Sequence, residues 1–331
     1  MLNVMDCPEA QSRRLVAVVV TYNRLAQLKT TLARLLETPS ENLSAIVVVD
    51  NASGDGTGAW LRALNDLRLD IICCESNLGG AGGFRLGMQR AMAHHDPDWL
   101  VLMDDDGRPE PGTFAHFHAI PDARWDAIAA AVYLPSGEIC EMNRPSRNPF
   151  WHGREFLRTV LGGGRSGFHL KSSDYEGSGQ KIDVTSFVGF FVSRRAVDLA
   201  GYPDGRYFLY ADDGIYTLGL SAKGARIGFE PALRFEHDLS TFGASGAQLR
   251  PIWKVYYYHR NLLVLYRQAA GWLFWPACLI ILPRWIVKGF GVSQRRLYLR
   301  LLWRGICDGL WRRFDRSHPE ILSLSGFSPQ E

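Results

Sequence analysis

Four short apolar runs between residues 15 and 106, separated by helix-patterned sequence, constrain the fold of this chain more than any other feature. Leu15 to Val20 is unbroken and rich in β-branched residues, the pattern of a strand buried on both faces. Leu25, Leu28, Leu32, Leu35 and Leu36 then recur at helical spacing. Ala45 to Val49 repeats the strand signal, and a Gly-rich turn leads to a predicted helix near Gly58 to Leu67. Leu69 to Cys73 is a third strand, Phe84 to His94 a helix and Trp99 to Met103 a fourth strand. Strands that alternate with helices over short connections run parallel. The predicted fold class is therefore α/β, a Rossmann-like doubly wound sheet whose ligands bind at the carboxyl ends of the strands. Three polar clusters fall at those ends: Thr21-Tyr22-Asn23-Arg24, Asp50-Asn51-Ala52-Ser53 and Asp104-Asp105-Asp106.

Beyond Pro109 the pattern loosens. A strand is expected near Ala127 to Tyr133, followed by an aperiodic stretch from Pro135 to Gly179, of a length that is usually functional or mobile. Strands near Ile182 to Phe187 and Phe190 to Ser193, a helix from about Asp213 to Ala222, a strand at Arg226 to Phe229 and two or three final helices complete the reading. With 47% apolar and 21% charged residues the composition is that of a globular chain. The six cysteines show no CxxC spacing and read as reduced core thiols of a cytosolic protein. Met1 to Arg14 holds two acids and a proline where a secretory signal needs a long apolar stretch, so nothing in that segment is expected to direct export.

Charge is distributed unevenly. Residues 251–331 carry 12 Lys/Arg against 4 Asp/Glu, a surplus of 8, which leaves −5 of the net +3 on residues 1–250. The same segment holds six of the ten tryptophans: Trp253, Trp272, Trp275, Trp285, Trp303 and Trp311. Basic residues interleaved with Trp and Leu favour an anionic membrane surface, with a nucleic-acid face as the competing reading. The apolar run Trp272 to Leu282 falls short of the ~20 residues of a spanning helix and is followed by Pro283, Arg284 and Lys288. The expectation is a cytoplasmic protein, peripheral on the inner face of the cell membrane, with no nucleic-acid partner. Its amphipathic tail should be removable after about Asn261, leaving a more soluble chain that still binds nucleotide.

Adjacent carboxylates repel one another unless a cation shares them, so Asp104-Asp105-Asp106 at a strand end suggests a divalent metal holding phosphate oxygens, with a solvated turn as the bland alternative. The loop Asn77-Leu78-Gly79-Gly80-Ala81-Gly82-Gly83 follows a strand and opens a helix, yet it does not fit the usual phosphate-binding templates. A GxGxxG match from Gly80 would need glycine where Arg85 stands, and no GxxxxGK[ST] occurs. Dehydrogenases and P-loop hydrolases are disfavoured accordingly.

The order of VVVTYNR (Val18 to Arg24), VVDNAS (Val48 to Ser53), NLGGAGGF (Asn77 to Phe84) and LMDDDG (Leu102 to Gly107) resembles glycosyltransferase family 2, inverting enzymes of the GT-A fold. The resemblance covers about residues 15 to 265. It is closest to bacterial galactofuranosyltransferases and related rhamnosyltransferases, on account of the Asn-x-Gly-Gly loop, the Asp triplet and Tyr256-Tyr257-Tyr258-His259-Arg260-Asn261. It implies that Thr21, Asn23, Arg24, Asp50 and Asn77 hold a UDP-sugar. Asp104 and Asp106 would bind Mn²⁺ or Mg²⁺ together with His237 of Phe235-Glu236-His237-Asp238, and Asp105 would face the donor sugar. Tyr210-Ala211-Asp212-Asp213-Gly214 resembles the family's acidic base motif, with Asp213 as catalytic base and Asp212 as its orienter; capping of the helix that begins there is the alternative. Three positions depart from the pattern. Phe190 and Phe191 stand where polymerising relatives have tryptophans and are expected to keep sugar stacking, and Tyr258 replaces an acceptor-side histidine, with His259 one position away.

The implied organisation is a tail at 1–14, a nucleotide-sugar-binding half of a GT-A domain at 15–108, an acceptor-binding half at 109–250 and a helical membrane-associating segment at 251–331. The implied activity is metal-dependent, inverting transfer of galactofuranose from UDP-galactofuranose to a lipid-linked or polysaccharide acceptor. A rhamnosyltransferase using dTDP-rhamnose is the nearest alternative. A sugar-nucleotide nucleotidyltransferase or a non-catalytic sugar-binding protein are alternatives from other classes.

Overall fold

The first four strands lie where the apolar runs place them. In the computed structural model, which describes residues 13–239 and 249–327, β1 (Leu15–Thr21), β2 (Ala45–Asp50), β3 (Leu69–Cys73) and β4 (Trp99–Asp104) alternate with α1 (Leu25–Leu36), α2 (Thr57–Ala63) and α3 (Gly79–His94). They form the parallel order β3-β2-β1-β4. The unbroken apolar run of β1 is explained by its two faces. Val16, Val18 and Val20 pack with Phe84, Met88 and Ala91 of α3, while Ala17 and Val19 pack with Leu28, Leu32 and Leu35 of α1.

The rest of the sheet is mixed. After β5 (Gly107–Pro109), α4 (Thr113–Ala119), β6 (Ala127–Tyr133), α5 (Gly153–Arg158), β7 (Gln180–Ile182), β8 (Phe190–Ser193), α6 (Arg194–Ala200), α7 (Asp212–Ala222) and β9 (Ile227–His237), the full order is β3-β2-β1-β4-β8-β6-β9-β5, with β7 on β9. β8 is antiparallel to both β4 and β6, β9 is parallel to β6, and β5 and β7 pair antiparallel with β9. β9 outruns the four-residue strand expected at Arg226 to Phe229, because after a register shift opposite Ala130/Ala131 it pairs onward to Glu236. The strand expected at Ile182 to Phe187 stops at Ile182. Residues 135–179 hold only short helical turns, as their lack of periodicity implies.

Four helices close the chain: α8 (Lys254–Ala270), α9 (Phe274–Phe290), α10 (Arg295–Leu310) and α11 (His318–Ser325). α8 is built into the core. Tyr256, Tyr257, Arg260, Asn261 and Leu263 are buried, and the Tyr256 hydroxyl donates to Asp308 of α10 at 2.9 Å. α10 approaches so closely that a Cβ on Gly305 would lie 2.7 Å from the Tyr256 carbonyl oxygen, and one on Gly309 would lie 2.8 Å from that of Arg260. Truncation after Asn261 would therefore strip α10 from a buried face of α8, which corrects the expectation that the tail is removable. α9 runs through Pro283 to Phe290, well past the apolar run seen in the sequence.

Candidate active site

β1 has β2 on one side and β4 on the other, so the crevice outside the carboxyl ends of β1 and β4 is a topological switch point. Thr21 ends β1 there and Asp104 ends β4. The turn from β4 into β5 presents Asp105 and Asp106. Pairing of β5 with β9 sets Gly107 opposite His237, and the Asp238 amide donates to the Asp106 carbonyl at 2.9 Å. That register brings His237 across 131 residues of sequence to within 3.2 Å, Nε2 to Oδ1, of Asp106.

The triplet is enclosed by cations and donors. Arg24 pairs with Asp106 and lies 3.4 Å from Asp105, and Thr21 Oγ1 donates to Asp105 Oδ2 at 2.7 Å. Asp105 is only 3% exposed, and its carbonyl accepts the Thr31 hydroxyl at 2.7 Å. It is held by β1 and α1 through those two hydroxyls. Burial raises Asp104 to about 7, reinforced by the charges of Asp106 and Asp105, and burial likewise lifts Asp105 to about 6 against the pull of Arg24. Burial opposes ionisation of Asp106 too, but hydrogen bonding and charge from His237 and Arg24 hold it below the ordinary carboxylate value. On His237 burial works against the proton, and its hydrogen bonds to Asp106 and Cys140 prevail, lifting it to about 10.

Asn143 escaped the sequence reading. Its Oδ1 accepts from His237 Nδ1 at 2.7 Å, which fixes the ring and leaves Nε2 toward Asp106, the arrangement seen around metal-ligating histidines. Among the described residues no three His, Cys, Asp or Glu side chains stand grouped as a preformed metal cage. The donor chemistry of Asp104, Asp106 and an oriented imidazole nevertheless fits Mn²⁺ or Mg²⁺.

The other nucleotide-side residues shape loops. Asn23, at φ 53°, accepts the Gly54 amide at 2.7 Å, and Asp50 accepts that of Ser53 at 3.0 Å, which knits the ends of β1 and β2 together. Asn77 accepts the Gly79 amide at 2.8 Å as α3 begins. Buried Asn51 grips the same turn from both sides, accepting from Leu78 N at 2.8 Å and donating to Gly79 O at 2.9 Å. The Gly-rich loop is itself the first turn of α3. A Cβ on Gly83 would lie 2.6 Å from Val20 Cγ1, so that glycine serves close packing of helix on sheet. Lys254, which begins α8, is held below its usual range by burial and by the charge of Arg24, placing a second cation on the triplet's side.

Asp212 and Asp213 open α7, near enough to the triplet for the charge of Asp104 to act on Asp212. Burial, reinforced by Asp213, raises Asp212 well above the ordinary value. Burial also raises Asp213, but only to about 6, because the Gly214 amide donates to its Oδ1 at 2.6 Å. Both carboxyls are thus held above the ordinary carboxylate range by burial. Elsewhere the sequence reading needs correction. Phe190 and Phe191 are fully buried in the core and stack on no ligand, and His259 is enclosed by Trp285 and Tyr298 while Tyr258 meets Tyr210.

Residues 16–172 match the family model described as Glycosyl transferase family 2. Over that span, just under half of its length, the chain resembles glycosyltransferase family 2. It is 33% identical to an undecaprenyl-phosphate mannosyltransferase of Micrococcus luteus over 45% of this chain and 60% of that one. It is 31% identical to the galactofuranosyltransferase GlfT1 of Mycolicibacterium smegmatis over 60% of this chain and 62% of that one. The chain thus spans about three fifths of the length of these relatives. The mannosyltransferase PcManGT from Pyrobaculum calidifontis, solved with GDP-Man and Mn²⁺, superposes with a TM-score of 0.53 at 16% identity, covering 92% of this chain and 90% of that one. That likeness is one of fold, the GT-A fold that a family 2 domain implies.

Proposed function

We propose that this chain is a metal-dependent, inverting glycosyltransferase that moves galactofuranose from UDP-galactofuranose to a lipid-linked or polysaccharide acceptor. The observation that carries the proposal is the β1/β4 switch point, where β9 brings His237 to within 3.2 Å of Asp106, beside Asp104 and within electrostatic reach of Asp212. Arg24 and Lys254 supply positive charge beside the triplet, and Thr21, Asn23, Asp50 and Asn77 border the nucleotide end. Mn²⁺ or Mg²⁺ held by Asp104, Asp106 and His237 would neutralise the departing diphosphate. Asp213 takes the proton of the acceptor hydroxyl as it attacks the anomeric carbon from the face opposite the leaving group. Asp212 orients it.

For the donor, the match to a galactofuranosyltransferase extends over 206 residues, more than the nucleotide half of the chain, whereas the mannosyltransferase match covers 156. That match favours GDP-mannose as the second reading for the donor. Release of nucleotide from UDP-galactofuranose, GDP-mannose and dTDP-rhamnose, measured with Mn²⁺ and with EDTA, tests the assignment. Turnover with UDP-galactofuranose should exceed the others and vanish in EDTA; preference for another donor, or full activity in EDTA, refutes it.

An anionic membrane surface as partner is supported by α9, whose outward face exposes Leu279, Ile280, Val287 and Phe290 beside Trp272 and Trp275. Arg284, Lys288 and, on α10, Arg295, Arg296, Arg300 and Arg304 stand exposed around it. The continuous helical stretch Lys254–Phe290 is long and apolar enough to cross a membrane by length and composition. Its first half, α8, is packed into the fold, and α9 alone, at about 25 Å for 17 residues, falls short of a ~30 Å hydrocarbon core. A surface-lying helix on the inner face of the cell membrane therefore fits better than a spanning one.

A further inference from the structure

The segment that delivers Asp212 and Asp213 is held in an unfavourable backbone conformation. Three of four consecutive non-glycine residues have positive φ: Phe208 at 66°, Tyr210 at 69° and Ala211 at 58°. With ψ −63°, Phe208 centres a tight γ-turn of the strained, positive-φ kind, closed by a 2.8 Å hydrogen bond from Leu209 N to Tyr207 O. A cluster of such residues persists only where its surroundings over-determine it.

Those surroundings are two adjacent side chains of α8, both 0% exposed. The Asn261 Nδ2 amide stands 2.9 Å from Tyr207 O, 2.8 Å from Leu209 O and 2.9 Å from Tyr210 O. Arg260 Nη2 donates to Arg206 O at 3.0 Å and Tyr207 O at 2.9 Å, and its Nε donates to Asn261 Oδ1 at 2.9 Å, which fixes the amide. Burying a guanidinium is costly unless it is paired, and among the described residues no carboxylate pairs with this one. It is met by carbonyls and by the rings of Tyr256, Tyr257 and Phe314. The loop also reaches the donor side: Ala81 N of α3 donates to Phe208 O at 3.2 Å.

We infer that Arg260 and Asn261 are positioning residues for transfer, forming a clamp from α8 that holds the strained 207–211 loop and so fixes where Asp213 stands relative to the donor. The inference rests on the reading of Asp213 as base, and its test separates the two. In Asn261→Ala, amide hydrogen exchange over residues 208–213 should rise at least about tenfold while β1 and β4 stay protected. kcat for transfer should fall about 10- to 100-fold, with a smaller change in donor KM. Leu263→Ala, equally buried on α8 but away from the loop, should lower the melting temperature and leave kcat and loop exchange near wild type. Ala211→Gly, which removes the strain at one position, should restore part of the kcat lost in Asn261→Ala. Where Asn261→Ala folds poorly, Arg260→Lys, which keeps the cation and gives up the planar fork, should show the same pattern at about 3- to 10-fold. Unchanged loop exchange in Asn261→Ala, or a kcat loss that tracks melting temperature equally in Leu263→Ala, overturns the clamp. A loosened loop in a chain whose wild type turns over no donor upholds the clamp and overturns the base.

Discussion

The proposed nucleotide side of the site, from Thr21 to Asp106, and the proposed acceptor side, from Asn143 to Asn261, are assembled in opposite ways. On the nucleotide side each polar residue ends a strand or opens the turn after it, so four parallel strands carry the chemistry to one edge with little help from elsewhere. On the acceptor side nearly every member arrives by a long-range contact: His237 reaches Asp106 across 131 residues, Asn143 reaches His237 across 94, and Asn261 reaches Leu209 across 52. The nucleotide side is a property of the sheet. The acceptor side depends on how turns, β9 and α8 pack upon it.

The largest expected effect breaks the junction between them. Asp106→Ala or His237→Ala should reduce Mn²⁺-dependent transfer by about 10³-fold or more, since the remaining donors neutralise a departing diphosphate poorly. A loss in Asp106→Ala with none in His237→Ala, in a metal titration of kcat, would confine the metal to the nucleotide side. Next, Asp213→Asn keeps the shape and removes the proton acceptor, so kcat should drop by roughly 10²–10⁴ while UDP affinity barely moves. A larger loss in Asp212→Asn would reverse the two roles.

The pH profile sharpens the same assignment. Because Asp213 stands at about 6 and must be ionised to act, kcat/KM should fall about tenfold per unit as pH drops below 6. The stability sign is opposite. A carboxyl raised by burial holds its proton in the fold after the unfolded chain has lost it, so its contribution to stability is present below its ordinary value and is lost as pH rises through 6. Asp213→Asn should therefore melt higher than wild type at pH 7.5 while losing turnover.

A smaller effect tests the nucleotide side as scaffold. A Cβ on Gly87 would lie 2.4 Å from Val18 Cγ1 and 3.0 Å from Val49 Cγ2, so Gly87→Ala should cost about 1–3 kcal/mol in urea unfolding by pushing α3 off the sheet. The smallest lies at the far end of the chain. Trp275→Ser on the exposed face of α9 should change stability by less than about 0.5 kcal/mol yet weaken co-sedimentation with anionic vesicles at low salt. Equal binding to neutral vesicles would remove the electrostatic part of that reading.

Much of the nucleotide side was legible because a strand buried on both faces leaves an unbroken apolar run, and the polar residue that ends it must lie at the sheet's edge. Thr21, Asp50 and Asp104 were found that way. The reason for Gly79 and Gly83 lies in the carbonyl of Phe208 and in Val20, neither of which the loop's own sequence reveals. Asn143 had no signal at all, because a lone asparagine is identified only by what it touches. Arg260 and Asn261 were noticed as a pair, but their work at Tyr207 to Tyr210 could not be read from α8 alone.

The sequence by itself determined four parallel strands alternating with helices, the Asp104–Asp106 triplet at a strand end and the basic, tryptophan-rich character of the last eighty residues, because periodicity, strand length and charge are local properties. Only the tertiary structure decided that Thr21 and Thr31 hold Asp105, that Asn143 orients His237, and that α8 is packed against α10 and is not a detachable tail. Each of those depends on burial, hydrogen-bond partners and electric field, which exist only once residues distant in the chain have packed together.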